Sequence, residues 1–368
     1  MNGRDNDAPD LVVMLPSLRI SGGVQETLRL AKALAERGVR VRVLVFWKHA
    51  HESSSFGLPV DHLSSFAPEK SQAIWKLPQL ACRYLRYLGR SKQPKNDSPS
   101  LLLTHYTMFP FAWLTPRLRR VCFNQDVEWM FLPSGFLRET IRSMILFTSR
   151  RSRVVTTNEF ISAQYLENGI VPFAQASIWA PAFWLAPRSG SNRSIDLVML
   201  LRHGTIKRLD LYLELLRKVY DNTSWNCVVI TPEDAIHEQV KMLASQALLR
   251  PSNESIRELY GISKVFVLLS DTEGFGLPPL EAMGSGCVPV CRDSGGVRNY
   301  MTGPLTANLI SPEKSVSEIF IRLQQLLENY DRLAELSDVV VEVFRRGLQQ
   351  SSLDREASFD QLAQTLVR

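Results

Sequence analysis

The strongest chemical signal in the sequence is the stretch DTEGFGLPPLEAMGSGCVPV, from Asp271 to Val290. An apolar run ends at Ser270, Gly274 and Gly276 expose backbone N–H groups, and the prolines at 278 and 279 predict the start of a helix. Proline is harmless at that point because the first helical N–H has no partner to lose. A glycine loop leading into a helix N-terminus is a ready anion site. Glu273 stands before the loop and Glu281 is expected in the first helical turn. Carboxylates accept hydrogen bonds and sugar hydroxyls donate them, so carboxylates beside a phosphate site suit hydroxyl recognition. Upstream, LLRHGTIKRLD carries Arg202 and Lys207 directly after another apolar run.

E-x7-E with GFGLPPLEAM between the two glutamates resembles the large group of retaining GT-B glycosyltransferases, the glycosyl transferases group 1 family. The resemblance implies that Glu273 binds hydroxyls of the donor sugar, that Glu281 binds the ribose, and that Phe275, Gly276 and Leu277 approach the sugar and diphosphate through backbone. Arg202 and Lys207 have the spacing of the family's diphosphate-binding pair, and fixed cations there would lower the barrier as the leaving diphosphate gains charge. The family usually has Gly after that lysine, where this chain has Arg208. Gly22 and Gly23, between the first strand and helix, match the place where the N-terminal domain closes over the donor phosphates. His105, at the end of SLLLTHYTMF, matches an N-domain histidine near the donor sugar, although a strand-end histidine is equally a structural residue. Gln125, Asp126 and Glu128 in VCFNQDVEWMF are acceptor-site candidates, and Gln-Asp-x-Glu here resembles a subset that uses dTDP-rhamnose. Arg250, before Pro251, resembles the loop that touches the nucleotide base.

The elements that must hold these residues are legible in the apolar pattern. LVVMLP is a continuous apolar run, as in a strand buried on both faces of a parallel sheet. VQETLRLAKALAERG repeats Val24, Leu28, Ala31 and Ala35 at helical spacing with Gly38 closing the helix, and VRVRVLVF is a second strand. The grammar β-loop-α-β requires a right-handed crossover and a parallel, doubly wound sheet. It restarts near Ile195 after WAPAFWLAPRSGSNRS, which reads as a linker because prolines and a Gly/Ser cluster interrupt it. The expectation is an α/β GT-B fold, two facing doubly wound Rossmann-like domains with an interdomain cleft. Residues 1–185 form the acceptor-binding domain, 186–345 the nucleotide-sugar-binding domain, and 346–368 a helix packing across the junction, with Leu353, Phe359, Leu362 and Leu366 on one face.

A chain of 368 residues suits two cores. The five cysteines are scattered and mostly inside apolar strand-like runs, which reads as reduced core thiols in a cytoplasm. Cys287 and Cys291 have no second Cys/His pair at ligand spacing, and no Asp-x-Asp tract is placed to chelate a diphosphate-bound metal, so neither metal nor cofactor is expected. Absence of G-x-G-x-x-G argues against a dinucleotide dehydrogenase. The net charge of +6 suits an anionic partner; with the motifs above, that partner is a nucleotide sugar rather than nucleic acid. No apolar run approaches the roughly eighteen residues of a spanning helix, so membrane contact would be peripheral. One segment offers it: in residues 74–95, Ile74, Leu77, Ala81, Tyr84, Leu85 and Leu88 oppose Lys76, Arg83, Arg86 and Arg90 on a helical wheel, with Pro78 expected in the first turn. That helix is either a surface helix with a solvated basic face or a contact to anionic lipid. The resulting reading is a metal-independent, retaining hexosyltransferase of bacterial surface polysaccharide assembly, acting on a glycan or lipid-linked glycan. The rivals are a nucleotide-sugar epimerase or sugar phosphorylase on the same fold, and an inactive nucleotide-sugar-binding partner.

Overall fold

The computed structural model describes residues 8–18, 22–48, 54–64, 73–90, 98–185 and 193–366. The chain divides into two compact units, one built from residues up to 129, 134–178 and 353–368, the other from 130–133 and 179–352.

The first unit is organised by seven strands: β1 (Leu11–Leu15), β2 (Val41–Val45), β3 (Val60–His62), β4 (Ser100–Leu103), β5 (Arg120–Asn124), β6 (Arg153–Thr156) and β7 (Ala174–Gln175). They pair in the order β3-β2-β1-β4-β5-β6-β7, all parallel. Every residue of β1 is buried, as its unbroken apolar sequence demands, and Val13 pairs with Val43 on one side and Leu102 on the other. Helices α1 (Gly22–Glu36), α2 (Ala73–Arg90), α3 (Phe109–Trp113), α4 (Phe136–Ser149) and α5 (Glu159–Leu166) connect the strands. Helix α1 turns Leu28, Ala31 and Leu34 to the core and ends in Gly38 at φ 83°, a left-handed residue that glycine adopts without strain.

The second unit repeats the plan with β8 (Ile195–Leu200), β9 (Cys227–Thr231), β10 (Gln246–Leu249), β11 (Ser263–Leu268), β12 (Val288–Arg292) and β13 (Leu309–Ile310). Their order is β10-β9-β8-β11-β12-β13, again parallel. Helices α6 (Leu209–Asn222), α7 (Asp234–Val240), α8 (Asn253–Gly261), α9 (Leu277–Gly284) and α10 (Val316–Glu328) complete it, and α11 (Tyr330–Leu366) runs for 37 residues. In each sheet the strand order reverses beside the first strand, between β1 and β4 and between β8 and β11. Loops at the carboxyl ends of those strands diverge there and leave room for a ligand.

Three details differ from the sequence reading: the WAPAFW stretch, Leu353 and Pro78. The WAPAFW stretch is packed into the second unit: Trp179 lies 5.8 Å from Phe275 and 6.4 Å from Phe344, ring to ring, and Trp184 lies 5.9 Å from Tyr260. Residues 186–192 lie outside the described residues. The end of α11 is core of the first unit, where Phe359, Leu362, Ala363 and Leu366 are buried and Arg37 pairs with Glu356 and Asp360. Leu353, expected on the same face, is instead 68% exposed. Pro78 sits inside α2, which begins at Ala73. In that helix Leu80 and Tyr84 are buried while Leu77 and Leu85 are 42% and 45% exposed. Residues 91–95 of the expected basic segment lie outside the described residues.

Candidate functional site

In the second unit, the loops leaving β8 and β11 bring the two sequence motifs together. Lys207 Nζ donates to Glu273 Oε1 at 2.8 Å, and both side chains are largely shielded, at 29% and 15% exposed. The loops are tied by backbone as well, with Asp271 N–H donating to Ile206 O at 2.8 Å. Arg208 occupies the left-handed region at φ 51°, ψ 50°, the conformation glycine takes freely. Its guanidinium bonds Asp210 and Asp271, and Asp271 also pairs with Arg292. The side chain therefore supplies contacts that hold a backbone geometry its Cβ disfavours.

The loop after β11 is clamped from one side. Glu273 N–H donates to Ser294 O at 3.0 Å, and Gly296 N–H returns a bond to Glu273 O at 3.1 Å. A Cβ on Gly296 would lie 2.5 Å from the carbonyl oxygens of Glu273 and Gly274, so only glycine permits this approach. Gly276, at φ 80°, is the N-cap of α9. That helix starts at Leu277, one residue before the expected proline, and Glu281 consequently falls in the second turn rather than the first. Phe275 buries its ring against Trp179 and Tyr300, leaving its backbone as the part able to face a ligand.

Glu281 is largely enclosed, and its carboxyl makes no hydrogen bond or ion pair with any described residue. Burial pushes it up to about 7, with the Arg202 charge opposing that rise. Arg202 is exposed, and neighbouring Tyr260 is fully buried with a hydroxyl that lacks a partner among the described residues. A shielded carboxyl and phenol beside an exposed guanidinium suit a ligand carrying hydroxyls and negative charge. Arg250 is also left-handed, at φ 50°, but its guanidinium is engaged by Asp234 and Pro232 O on the exposed rim of β10.

In the first unit, a cavity of about 240 Å³ opens at the carboxyl ends of β1, β4 and β5. Gly23, His105, Gln125, Asp126 and Glu128 line it, so most of the residues singled out for this unit share one hollow. Gly22 and Gly23 are the first residues of α1 itself, not of a preceding loop. The Gln125 amide donates to Gly23 O at 2.9 Å and to Thr27 Oγ1 at 2.8 Å, so its nitrogen braces the helix start. Glu128 takes the Tyr106 N–H on Oε2 at 2.9 Å and places Oε1 3.5 Å from His105 Nε2. Burial, helped by the nearby Asp126 charge, drives Glu128 up to about 8 against that hydrogen bond, so at neutral pH it holds a proton. Burial lowers His105 to about 4; its Nδ1 lies 2.7 Å from Thr107 Oγ1 and 3.4 Å from Thr107 N, and its Nε2 faces Glu128. The pair is neutral, not an ion pair. Asn124, 7% exposed and also lining the cavity, has an amide nitrogen with no partner among the described residues. The apolar strand signal of VCFN hides it.

Comparison with known proteins fits this geometry. Residues 189–339 match the model of the family glycosyl transferases group 1. The chain is 26% identical to the GDP-mannose:cellobiosyl-diphosphopolyprenol alpha-mannosyltransferase of Komagataeibacter xylinus, over 79% of this chain and 77% of that protein. A short stretch, 14% of the chain, is 46% identical to a glycosyltransferase of a Sulfolobus islandicus filamentous virus and spans 16% of it. Among solved structures, sucrose-phosphate synthase of Thermosynechococcus elongatus superposes with a TM-score of 0.76 at 13% identity, covering 96% of this chain and 98% of that one. HepE of Anabaena, solved with UDP and glucose, gives 0.70 at 13% identity, covering 98% and 99%. Residues 189–339 thus match the glycosyl transferases group 1 family, and the two parallel Rossmann-like sheets of the chain are of the GT-B type.

Proposed function

We propose that this protein transfers a sugar from a nucleotide-diphosphate donor to a hydroxyl of a glycan or lipid-linked glycan, with retention and without a metal. The observation that carries the reading is the meeting of Lys207 and Glu273 at 2.8 Å beside the N-terminus of α9. A lysine ammonium has three N–H donors, so Lys207 can keep Glu273 in place and still meet phosphate oxygens. Arg202 adds a second cation, Glu273 and Glu281 accept from sugar and ribose hydroxyls, and backbone at Phe275, Gly276 and Leu277 lines the diphosphate. In the transfer, the bond from the anomeric carbon to the β-phosphate oxygen breaks and a bond from that carbon to the acceptor oxygen forms on the same face. The acceptor's proton passes to the departing diphosphate, whose charge the cations and helix N-terminus stabilise. His105 is assigned to the donor sugar, with Gly22 and Gly23 at its phosphates and Arg250 at the base.

Gln125, Asp126 and Glu128 are assigned to the acceptor. The named substrates of the Komagataeibacter relative, GDP-mannose and a diphosphopolyprenol-linked disaccharide, indicate the classes to try first. A role in bacterial surface polysaccharide assembly, at the inner face of the membrane, is proposed with them. Purified protein should convert one member of a panel of nucleotide sugars with a diphosphopolyprenol-linked acceptor, at a rate unchanged by EDTA. Turnover with no acceptor, or only with inorganic phosphate, would favour an epimerase or a phosphorylase; EDTA inhibition reversed by magnesium would overturn the metal-free step.

A further inference from the structure

We infer that Tyr300 is a positioning residue for the donor loop, fixing the peptide between Gly276 and Leu277 through its hydroxyl; the inference rests on reading that loop as the diphosphate site. Tyr300 is fully buried, and its hydroxyl donates to Gly276 O at 2.7 Å. In a trans peptide the N–H points opposite the carbonyl, so holding the Gly276 carbonyl toward the interior aims the Leu277 N–H away from it. That N–H belongs to the first turn of α9, where helical N–H groups have no intrahelical partner and serve anions.

The hydroxyl has little freedom to relocate. A Cβ on Gly276 would lie 2.8 Å from it and 2.9 Å from Val297 Cγ1, so the loop and this wall are in tight contact. The Tyr300 ring is set among Phe275, with centroids 5.8 Å apart, and Trp179, at 6.5 Å. Trp179 is pinned in turn by its Nε1–H bond to Phe344 O at 3.0 Å. On α11, a Cβ at Gly347 would lie 2.1 Å from the Trp179 ring, so that helix packs against the indole face too closely for a side chain. Burial keeps the phenol protonated far beyond neutral pH, so it remains a donor. The chain from α11 through Trp179 to Tyr300 thus sets the direction of one backbone donor. Stabilising a developing anion depends on donors held in place before the reaction, and small misplacements are costly.

The test uses the full chain. Tyr300→Phe keeps the ring and its packing and loses only the hydroxyl; Val297→Ala loosens the same wall and leaves the hydroxyl bond. Tyr300→Phe is expected to lower kcat on the order of tenfold or more, with the acceptor KM unchanged and a weakened Kd for the nucleoside diphosphate. Val297→Ala is expected to lower Tm at least as much while retaining kcat. Wild-type kcat in Tyr300→Phe, or an equal kcat loss in Val297→Ala, would overturn the inference. Should Tyr300→Phe fail to fold, Gly276→Ala, whose methyl displaces the hydroxyl, takes its place: a lowered kcat supports the inference and a wild-type kcat overturns it. A wild-type protein that binds none of UDP, GDP and dTDP in calorimetry would instead sink the donor-site reading, and the role of Tyr300 with it.

Discussion

Lys207 and Glu273 hold each other at 2.8 Å, so the proposed donor would meet a cation already placed. Removing that cation deprives the departing diphosphate of a fixed partner, and Lys207→Ala is expected to lower kcat on the order of a hundredfold or more. Steady-state kinetics with the active donor checks this, and near-normal turnover would refute it. Glu128 makes a different demand. Folding raises its pKa from 4.5 to about 8. Between those values the unfolded chain has released the proton and the folded chain retains it, so stability falls as pH rises through this window. Below it both states are protonated and the penalty is absent. Glu128→Gln keeps an oxygen for the Tyr106 N–H and cannot ionise. The variant should therefore gain on wild type from pH 5 to 8, by up to a few kcal/mol at about 1.4 per pH unit, and gain no more above 8. Urea unfolding at pH 5, 6.5 and 8 measures it, and a difference independent of pH would show that Glu128 ionises freely.

At the scale of elements, the Lys207 loop poses a specific question, because Arg208 stands where a left-handed turn favours glycine. A non-glycine residue there costs about 1–2 kcal/mol, offset here by bonds to Asp210 and Asp271. Arg208→Gly removes the cost together with the tether, whereas Arg208→Ala removes only the tether. The alanine variant should be less stable than the glycine variant by about 1 kcal/mol in denaturant titration, and equal stabilities would mean that the loop relaxes out of this conformation. The loop also shows where sequence reading stops. The motif spacing already placed Arg202, Lys207, Glu273 and Gly276 in loops after buried strands, because strand and helix periods are local properties of the chain. Tyr300 and Trp179 carried no such signal: their partners are distant in sequence and meet only after the sheet forms. The same holds for Asn124, whose position in an apolar strand gave no hint that its amide would face no partner. Tryptophans beside prolines read as linker, since periodicity is silent about aromatic side chains that anchor an irregular segment to a core.

The lipid-linked acceptor proposed above would bring the protein to an anionic surface, which a net charge of +6 suits; among the described residues, no helix is long and apolar enough to cross a membrane. Helix α2 is where the sequence offered such a contact, as the alternative to a solvated basic face. Its exposed residues include Leu77, Leu85 and Arg86, while Leu80 and Tyr84 anchor the opposite side in the first unit and Arg83 donates to Leu63 O at 2.6 Å. Exposed leucines beside arginines suit the headgroup region, where apolar burial and charge attraction act together. Each basic residue near an anionic surface contributes about 1 kcal/mol, so reversing three of them should abolish binding rather than weaken it slightly. Wild-type protein is expected to sediment with vesicles containing an anionic lipid and to stay soluble with neutral ones. The variant Arg83, Arg86, Arg90→Glu should stay soluble with both, and added salt should release the wild type in the same way, since the attraction is screened within about a Debye length. Equal recovery of wild type in the soluble fraction with either lipid would reduce α2 to a solvated basic helix and refute the proposed membrane contact.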